Sequence, residues 1–325
     1  MEFELISRIQ AKVGRAGPGV LRGIGDDCAV IGGKTGKLTL LTTDAIVEGR
    51  HFYRPFFKPF EIGLKAVATA VSDVAAMGGH PLHLLISLGL PKKGAERFVN
   101  GFYDGVRTAC RKWNLSVVGG NLTASKILWI STTVIGEVEK KDCRYRSGAK
   151  PGDGIFVTGP LGNAAMGLFL HQRGRKIPPV FARAQKTPVP RLREGEFLGK
   201  FSGVTSLIDI SDGLLADLGH ILATSRAGAV LEWEKIPRHP QLGPLAKKNG
   251  FSIRDLVLSR GEDYELLATV RRSVEKTLIR MAKSGGIKLF RIGTIVRRAQ
   301  GLKIVDSQGK NIPFSASGYD HFKSY

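Results

Sequence analysis

The chain has 325 residues, of which 42% are hydrophobic and 24% are charged, and its formal net charge is +21. These fractions exclude a disordered chain, a fibrous repeat and a small disulfide-stapled fold, and at about 150 residues per domain the length predicts two domains. Both halves of the chain share the positive charge, which favours anionic partners such as nucleotides, other phosphate esters, nucleic acid or an anionic membrane without choosing among them.

Cysteine spacing and apolar patterning predict where the protein resides. Cys28, Cys110 and Cys143 are widely spaced and form no C-x-x-C pair, which is typical of free thiols in a reducing compartment. The N-terminus carries acids where a signal peptide needs bases, and the longest span without a formal charge, 74–91, is interrupted by glycine, proline and histidine. We therefore expect a cytoplasmic protein with no membrane partner.

Helix and strand patterns alternate along the first half of the chain. Ile62, Ala66, Ala70 and Val74 form an apolar stripe at helical spacing, with a proline before the stripe and two glycines after it. These features predict a helix over 59–77. Further helices are predicted over 2–13 and 95–113, and strands over 28–31, 38–43, 82–90 and 127–138.

A second series of strands and helices follows a polar, basic, turn-rich segment at 139–154, which is the predicted linker. Strands are predicted over 155–158, 207–210, 265–270 and 289–295, and helices over 214–224 and 274–283. The alternation predicts α/β layers, with an N-terminal domain at 1–138 and a C-terminal domain at 139–325.

Carboxylates stand among glycine, serine and threonine residues, several of them at the ends of predicted strands. They are Asp26 and Asp27 in GIGDD, Asp44 in LLTTD, Asp73 in AVSD, and Asp209 and Asp212 in LIDISD. Each motif alone also fits a turn or a helix N-cap. Together they indicate a nucleotide site with several Mg²⁺ ions, because Mg²⁺ prefers oxygen ligands and binds carboxylates together with substrate phosphates.

The sequence contains neither a P-loop nor the H-R-D and D-F-G motifs of protein kinases. It does contain GIGDDCAVI, TTDAIVEGRHF, KAVATAVSDVAAMGG, VVGGN, RSGAKPGD, VTGPLG, DISDGLLADLGHI, SRGEDYELL and GYDHF. In this order, from about residue 22 to 323, the motifs resemble those of thiamine-monophosphate kinases. That family belongs to a superfamily with aminoimidazole ribonucleotide synthetase, selenophosphate synthetase and a hydrogenase maturation factor.

The resemblance implies a fold, an activity and a dimer. It implies an N-terminal mixed sheet with helices that pairs with the sheet of a second subunit, and a C-terminal α/β domain that closes the substrate cleft. It implies transfer of the ATP γ-phosphoryl group to thiamine monophosphate with the help of several Mg²⁺ ions. The partners it implies are ATP, thiamine monophosphate and a second copy of the chain.

The resemblance also assigns roles by position. The implied metal-binding residues are Asp27, Thr42, Thr43, Asp44, Asp73, Asn121, Asp209 and Asp212. The implied ATP contacts are Gly120, Asn121, Arg146 and Ser211, and the implied substrate contacts are His51, Glu262 and Tyr319. No covalent intermediate or general base is expected, because a phosphate monoester with a second pKa of about 6 is largely deprotonated near neutral pH. Arg146 is the expected charge stabiliser.

Three positions depart from the family pattern. Asn121 stands where the family has aspartate, Ala70 where it has asparagine, and Arg260 where it has glycine. Asparagine still offers an amide oxygen to Mg²⁺ but no charge, so we expect a weaker metal affinity. The changes leave two alternatives, a kinase with an altered metal site or a relative that acts on another phosphorylated molecule.

Some features have a second interpretation. His51 is either a substrate contact or a loop histidine, and Tyr319 either stacks on the thiamine ring or holds the chain end. The net charge also fits a nucleic-acid-binding protein, but the basic pairs are scattered and no RNA-recognition aromatic motif or zinc finger accompanies them. We therefore expect no nucleic-acid partner.

Overall fold

The computed structural model describes residues 2–13, 17–33 and 36–314, which form two six-stranded mixed sheets with helices. The strands are β1 (Val20–Arg22), β2 (Ala29–Gly32), β3 (Lys37–Val47), β4 (His80–Leu90), β5 (Ser116–Ala124), β6 (Trp129–Glu139), β7 (Gly154–Val157), β8 (Val204–Asp209), β9 (Ala227–Glu232), β10 (Leu266–Val270), β11 (Phe290–Arg297) and β12 (Leu302–Val305). The helices are α1 (Glu2–Val13), α2 (Pro59–Ala76), α3 (Ala95–Trp113), α4 (Asn163–Gln172), α5 (Pro179–Lys186), α6 (Leu192–Lys200), α7 (Leu214–Ser225), α8 (Leu242–Lys248), α9 (Ile253–Leu258) and α10 (Glu275–Ser284). Within these described ranges, no helix is both long and apolar enough to cross a bilayer.

The first sheet has the order β1-β2-β3-β6-β4-β5, and its neighbours are antiparallel except β4 and β5, which are parallel. Alternate residues of β6, among them Ile130, Thr132 and Val134, are buried, and the residues between them are partly exposed. Helix α2 contacts β3, β4 and β6. One face of the sheet is therefore covered, and the other face is open in the single chain.

Helices α2 and α3 pack closely because a glycine on each helix faces the backbone of the other helix. A Cβ atom on Gly63 would lie 2.1 Å from the carbonyl oxygen of Phe102, and one on Gly105 would lie 2.1 Å from that of Phe60. Neither position has room for a side chain. This close approach holds α2 in one orientation above the sheet.

The second sheet has the order β12-β9-β11-β7-β10-β8, with β12 parallel to β9 and the other neighbours antiparallel. Helix α2 also contacts β8 and α6, so it lies between the two halves of the molecule. Its last residues, Ala75 and Ala76, are fully buried in a core that includes Phe156 and Leu207. Because α2 is enclosed by both halves, it is buried on nearly all sides.

The α/β class and the two-domain architecture predicted from the sequence are confirmed. The helix predicted over 59–77 is α2, which begins at the predicted proline, and the helix predicted over 95–113 is α3. Strand β5 was missed because its two glycines and exposed residues break the alternation that marks a strand. The exact limits 1–138 and 139–325 stay a prediction.

The segment predicted as a linker joins the two sheets, and it is tightly packed. It contains no helix or strand between residues 140 and 153, yet Cys143 and Ala149 are buried. Arg144 donates to the carbonyl oxygen of Phe201 at 3.2 Å, and Tyr145 accepts through its carbonyl oxygen from the amide of Leu207 at 3.0 Å. The crossing therefore holds a fixed position against the second sheet.

Candidate active site

Three carboxylates from distant parts of the chain meet between the two halves. Asp27 precedes β2, Asp73 lies in α2, and Asp209 ends β8. One oxygen of each lies within 4.8 Å of the others. Asp27 and Asp209 are 7% and 2% exposed, so water screens their mutual repulsion poorly. We call these three residues the carboxylate cluster.

Hydrogen bonds orient each member of the carboxylate cluster. Thr42 Oγ1 donates to Asp73 Oδ2 at 2.5 Å. Arg146 Nη2 donates to Asp27 Oδ1 at 2.8 Å, while Asp27 Oδ2 is buried and accepts no hydrogen bond within the described part of the chain. An unpartnered buried carboxylate oxygen is costly, and a cation would satisfy it.

Burial raises the pKa of every member of the carboxylate cluster. The pKa of Asp209 rises to about 7, first because of burial and second because of Asp27. The pKa of Asp73 rises well above its usual range, through burial and then the charges of Asp209 and Asp44. Burial likewise raises the pKa of Asp27. Buried carboxylates that repel one another in this way suit a hard divalent cation such as Mg²⁺, which prefers oxygen ligands.

The neighbouring acids Asp26 and Asp27 have different tasks. Asp26 pairs with Arg22 at 3.0 Å and accepts from the backbone amide of Arg146 at 3.1 Å. Asp26 therefore anchors the segment that carries Arg146, whereas Asp27 belongs to the carboxylate cluster.

A cavity of about 290 Å³ lies beside the carboxylate cluster and draws its walls from both halves. Eight residues predicted from the sequence line it, namely Thr43, Asp44, His51, Asp73, Asp209, Ser211, Asp212 and Glu262. Thr42 is buried behind Asp73, and Arg146 is tied to Asp27. With Asp27, the structure thus brings eleven of the predicted residues to this cavity or to the carboxylate cluster beside it.

Gly120 and Asn121 lie elsewhere in the single chain. The strand register places Asp44 opposite Thr132, Thr132 opposite Ile86, and Ile86 opposite Gly120. At about 4.8 Å per strand, Gly120 is about 14 Å from Asp44, and the following residue, Asn121, projects from the opposite face. Both residues stand on the exposed strand β5. Tyr319 lies outside the described residues.

The acids in segment 261–265 have different roles, although they stand next to one another in the sequence. Asp263 accepts from the backbone amide of Gly162 at 2.7 Å just before α4, and burial raises the pKa of Asp263 to about 7. Glu265 is 3% exposed and accepts two hydrogen bonds from Arg191. Of the four side chains after Gly261, only Glu262 and Tyr264 line the cavity.

Gly261 is required by the close approach of two loops. A Cβ atom at this position would lie 1.9 Å from the carbonyl oxygen of Ser211, which accepts from the backbone amide of Glu262 at 2.8 Å. This contact aligns the Ser211 loop with the segment that carries Glu262.

Several residues at the site were missed by the sequence analysis. Asp217 accepts from the backbone amide of Gly213 at 3.0 Å, and its carboxylate lies within 4.8 Å of ligand atoms of Asp212 and His220. The spacing of Asp217 and His220 on one helix face was a signal for this group. Arg50 and Phe169 line the cavity without any local pattern that marked them, and Arg260, noted in the sequence as a departure from the family pattern, lines it too.

Comparisons with known proteins show which family the chain belongs to. Family models match residues 25–138, as the N-terminal domain of AIR synthase related proteins, and residues 150–305, as their C-terminal domain. A thiamine-monophosphate kinase of Buchnera aphidicola (subsp. Schizaphis graminum) is 35% identical over 329 residues, which cover 99% of this chain and 98% of that protein. The chain belongs to the thiamine-monophosphate kinase family. The family member of Escherichia coli K12 is 33% identical over 326 residues, covering 99% and 98% of the two chains.

Solved structures share the fold of this chain, one within the family and one outside it. The structure described as AaThiL complexed with AMPPCP and TMP matches with a TM-score of 0.85 and 33% identity, covering 99% of this chain and 97% of that chain. The hydrogenase maturation protein HypE of E. coli has the same fold at a TM-score of 0.74 and 18% identity, covering 97% of each chain.

Proposed function

We propose that this protein transfers the γ-phosphoryl group of ATP to the phosphate of thiamine monophosphate, giving thiamine diphosphate and ADP. The observation that carries the proposal is the convergence of Asp27, Asp73 and Asp209 beside a cavity shared by both halves. Family membership and the AMPPCP and TMP of the AaThiL complex support the choice of donor and acceptor.

The main obstacle to this reaction is repulsion between two phosphate-bearing anions. An oxygen of the acceptor phosphate attacks the γ-phosphorus in line, the bond from that phosphorus to the β-phosphate oxygen breaks, and ADP leaves with the electron pair. The acceptor is largely deprotonated near neutral pH, so no side chain has to remove a proton. Bound Mg²⁺ supplies charge neutralisation and alignment of the phosphates.

The residues of this chain divide the work between metal and phosphate. The carboxylate cluster would hold Mg²⁺, with Asp44, Asp212 and the hydroxyls of Thr42 and Thr43 beside it. Arg146 keeps its guanidinium at the site through Asp27, and its buried Nε has no hydrogen-bond partner within the described residues. The side chain as a whole keeps 21% of its surface exposed, and a guanidinium N–H at that surface is suited to a phosphate oxygen.

Ser211 would contact ATP, and His51 and Glu262 would contact thiamine monophosphate. These three residues line the cavity: Ser211 lies between Asp209 and Asp212 in the sequence, His51 comes from the first half of the molecule, and Glu262 comes from the second half. Nearby stands Phe169, whose ring offers an aromatic face of the kind that a flat cationic ring prefers. The ATP role of Gly120 and Asn121 and the substrate role of Tyr319 stay proposals drawn from the family resemblance.

The active form is proposed to be a homodimer that pairs through the first sheet. Strand β5 is exposed along its whole length at the edge of that sheet, and Val118 and Leu122 are 55% and 61% exposed. A long apolar edge strand invites pairing with another strand. Because Gly120 and Asn121 stand on this edge, any role they have at a nucleotide site depends on the second subunit.

The test of function is a product assay. Purified protein is mixed with ATP, MgCl₂ and thiamine monophosphate, and thiamine diphosphate and ADP are quantified chromatographically. We expect equimolar products, none with EDTA, and none when unphosphorylated thiamine replaces the monophosphate. Failure of a folded, ATP-binding protein to form thiamine diphosphate would contradict the proposal and favour another phosphorylated acceptor.

A further inference from the structure

A lysine with no solvent exposure connects two walls of the cavity, the segment that carries His51 and the segment that carries Glu262. Lys65 lies in α2, and its side chain is fully buried. Its Nζ atom lies 2.7 Å from Glu262 Oε1 in the second half and donates to the carbonyl oxygen of His51 at 2.9 Å in the first half. Both Glu262 and His51 line the cavity.

Glu262 is held from three directions. Its Oε1 pairs with Lys65, and its Oε2 accepts from Gln185 Nε2 at 2.8 Å. Its backbone has φ of +66°, a left-handed conformation that non-glycine residues rarely adopt, and its amide donates to Ser211. These contacts fix the carboxylate in place and Oε1 is buried, while 22% of the side-chain surface stays exposed where Glu262 lines the cavity.

The cost of burying a lysine explains why this contact is rigid. An ammonium group removed from water is strongly disfavoured unless a counter-charge and hydrogen-bond acceptors surround it. Glu262 supplies the charge and the His51 carbonyl supplies an acceptor. A shift of either wall would leave the buried ammonium uncompensated, so Lys65 transmits the position of one wall to the other.

We propose that Lys65 is a positioning residue that couples the His51 segment to Glu262 and thereby sets the affinity for the phosphorylated substrate. The proposal rests on the proposed function, since it concerns the same cavity. Lys65 touches no reacting atom in this scheme. It acts through the two residues that would contact thiamine monophosphate.

Steady-state kinetics of Lys65→Met test this role. Because both walls lose their common contact, we expect the KM for thiamine monophosphate to rise at least about tenfold, while the KM for ATP and kcat change by less than about threefold. A loss of folded protein would lower the apparent kcat and leave both KM values unchanged. That result would contradict the positioning role.

Lys186→Met is the matched control. Lys186 also joins the two halves, because its Nζ lies 3.4 Å from Glu61 Oε2 and 4.2 Å from the centre of the Phe56 ring, but it does not line the cavity. We expect its KM for thiamine monophosphate to stay within about twofold of wild type. An equal rise in both variants would assign the effect to general loosening between the halves and would overturn the proposal.

Amide hydrogen exchange tests the coupling without turnover and without a change at Lys65 itself. In Glu262→Gln, the buried ammonium loses its counter-charge, so exchange at the amides of Arg50 and His51 should rise at least about fivefold. The amide of Gly162, which is held by Asp263, should be unchanged. Unchanged exchange at Arg50 and His51 would refute the coupling even if wild-type protein forms thiamine diphosphate. Absence of that product in wild type would instead refute the proposed function.

Discussion

Ser72 Oγ donates a hydrogen bond of 2.7 Å to Asp209 Oδ2, and this bond ties the C-terminal part of α2 to the end of β8 in the other half of the molecule. Ser72 is fully buried, and Asp209 is 2% exposed. The residue after Ser72 is Asp73, so the same bond brings two members of the carboxylate cluster together. The cluster exists only when the two halves are packed against each other.

Asp73→Asn separates activity from stability. Loss of one metal-binding charge should lower kcat at least about 100-fold, because charge neutralisation carries most of phosphoryl transfer. In EDTA the same variant should melt higher than wild type, by about 2–4 °C for each 1 kcal/mol of repulsion removed. The asparagine side chain still offers an acceptor oxygen to the Thr42 hydroxyl, so this hydrogen bond is kept. Calorimetry and turnover check both effects, with Asp104→Asn on the exposed side of α3 as the control. If Asp73→Asn instead melted lower than wild type in EDTA, repulsion within the carboxylate cluster would not destabilise the metal-free protein.

The response to Mg²⁺ should depend on pH. Burial raises the pKa of Asp209 to about 7, above its ordinary value of 3.8 in the unfolded chain. The folded state therefore binds the extra proton between these values, and the resulting stability is lost as the pH rises through 7. In EDTA the melting temperature should fall between pH 5 and pH 8. Mg²⁺ should raise it more at pH 8 than at pH 6, where the cation competes with a proton. An equal Mg²⁺ effect at both pH values would contradict this prediction.

Asn121→Asp tests the altered metal position. If this residue belongs to a metal site in the assembled protein, restoring the charge should lower the Mg²⁺ concentration for half-maximal rate, by about threefold to tenfold. Activity titrations with Mg²⁺ measure the effect. Asn100→Asp, on an exposed position of α3, controls for the added charge. An unchanged Mg²⁺ requirement would remove Asn121 from the metal-binding set.

Glu265→Gln should affect folding and not catalysis. Glu265 is nearly buried and paired with Arg191, which keeps 31% of its side chain exposed, so we expect a loss of about 2–3 kcal/mol in the free energy of unfolding. Urea denaturation measures this loss. Glu137→Gln, at the exposed pair with Lys37, should leave the free energy of unfolding almost unchanged. A changed KM for either substrate in folded Glu265→Gln protein would assign Glu265 a role at the site.

Leu122→Lys tests the proposed dimer. A lysine on the edge strand β5 opposes strand pairing, so the variant should elute as a monomer at concentrations where wild type is a dimer. Light scattering after size exclusion measures the mass. Ile279→Lys replaces an equally apolar residue, 45% exposed on α10, and should leave the dimer intact. Wild-type protein that is monomeric at micromolar concentration would overturn the proposal.

The periodicity of apolar residues and the order of the motifs allowed part of the fold to be predicted from the sequence alone. The apolar stripe of α2 repeats every 3.6 residues, and its proline and glycines mark the ends, so the sequence alone predicted the helix. The acids of the motifs were likewise visible as candidates, because carboxylates among glycine and serine residues point to cation binding. Strand β5 was not predicted, since a strand that is exposed along its whole length does not show the alternation of a half-buried strand.

Tertiary structure decided which of these residues act together. It placed Asp27 but not Asp26 in the carboxylate cluster, brought Asp73 to Asp209 across 136 positions of sequence, and joined Lys65 to Glu262 inside the molecule. No local pattern encodes such contacts, because they depend on how α2 is enclosed by two sheets. The sequence determined the long helices α2 and α3, eight of the strands, the candidate acids and the family. The packing of the two halves determined which charges are buried together, and burial is what makes their repulsion strong enough to favour a bound cation.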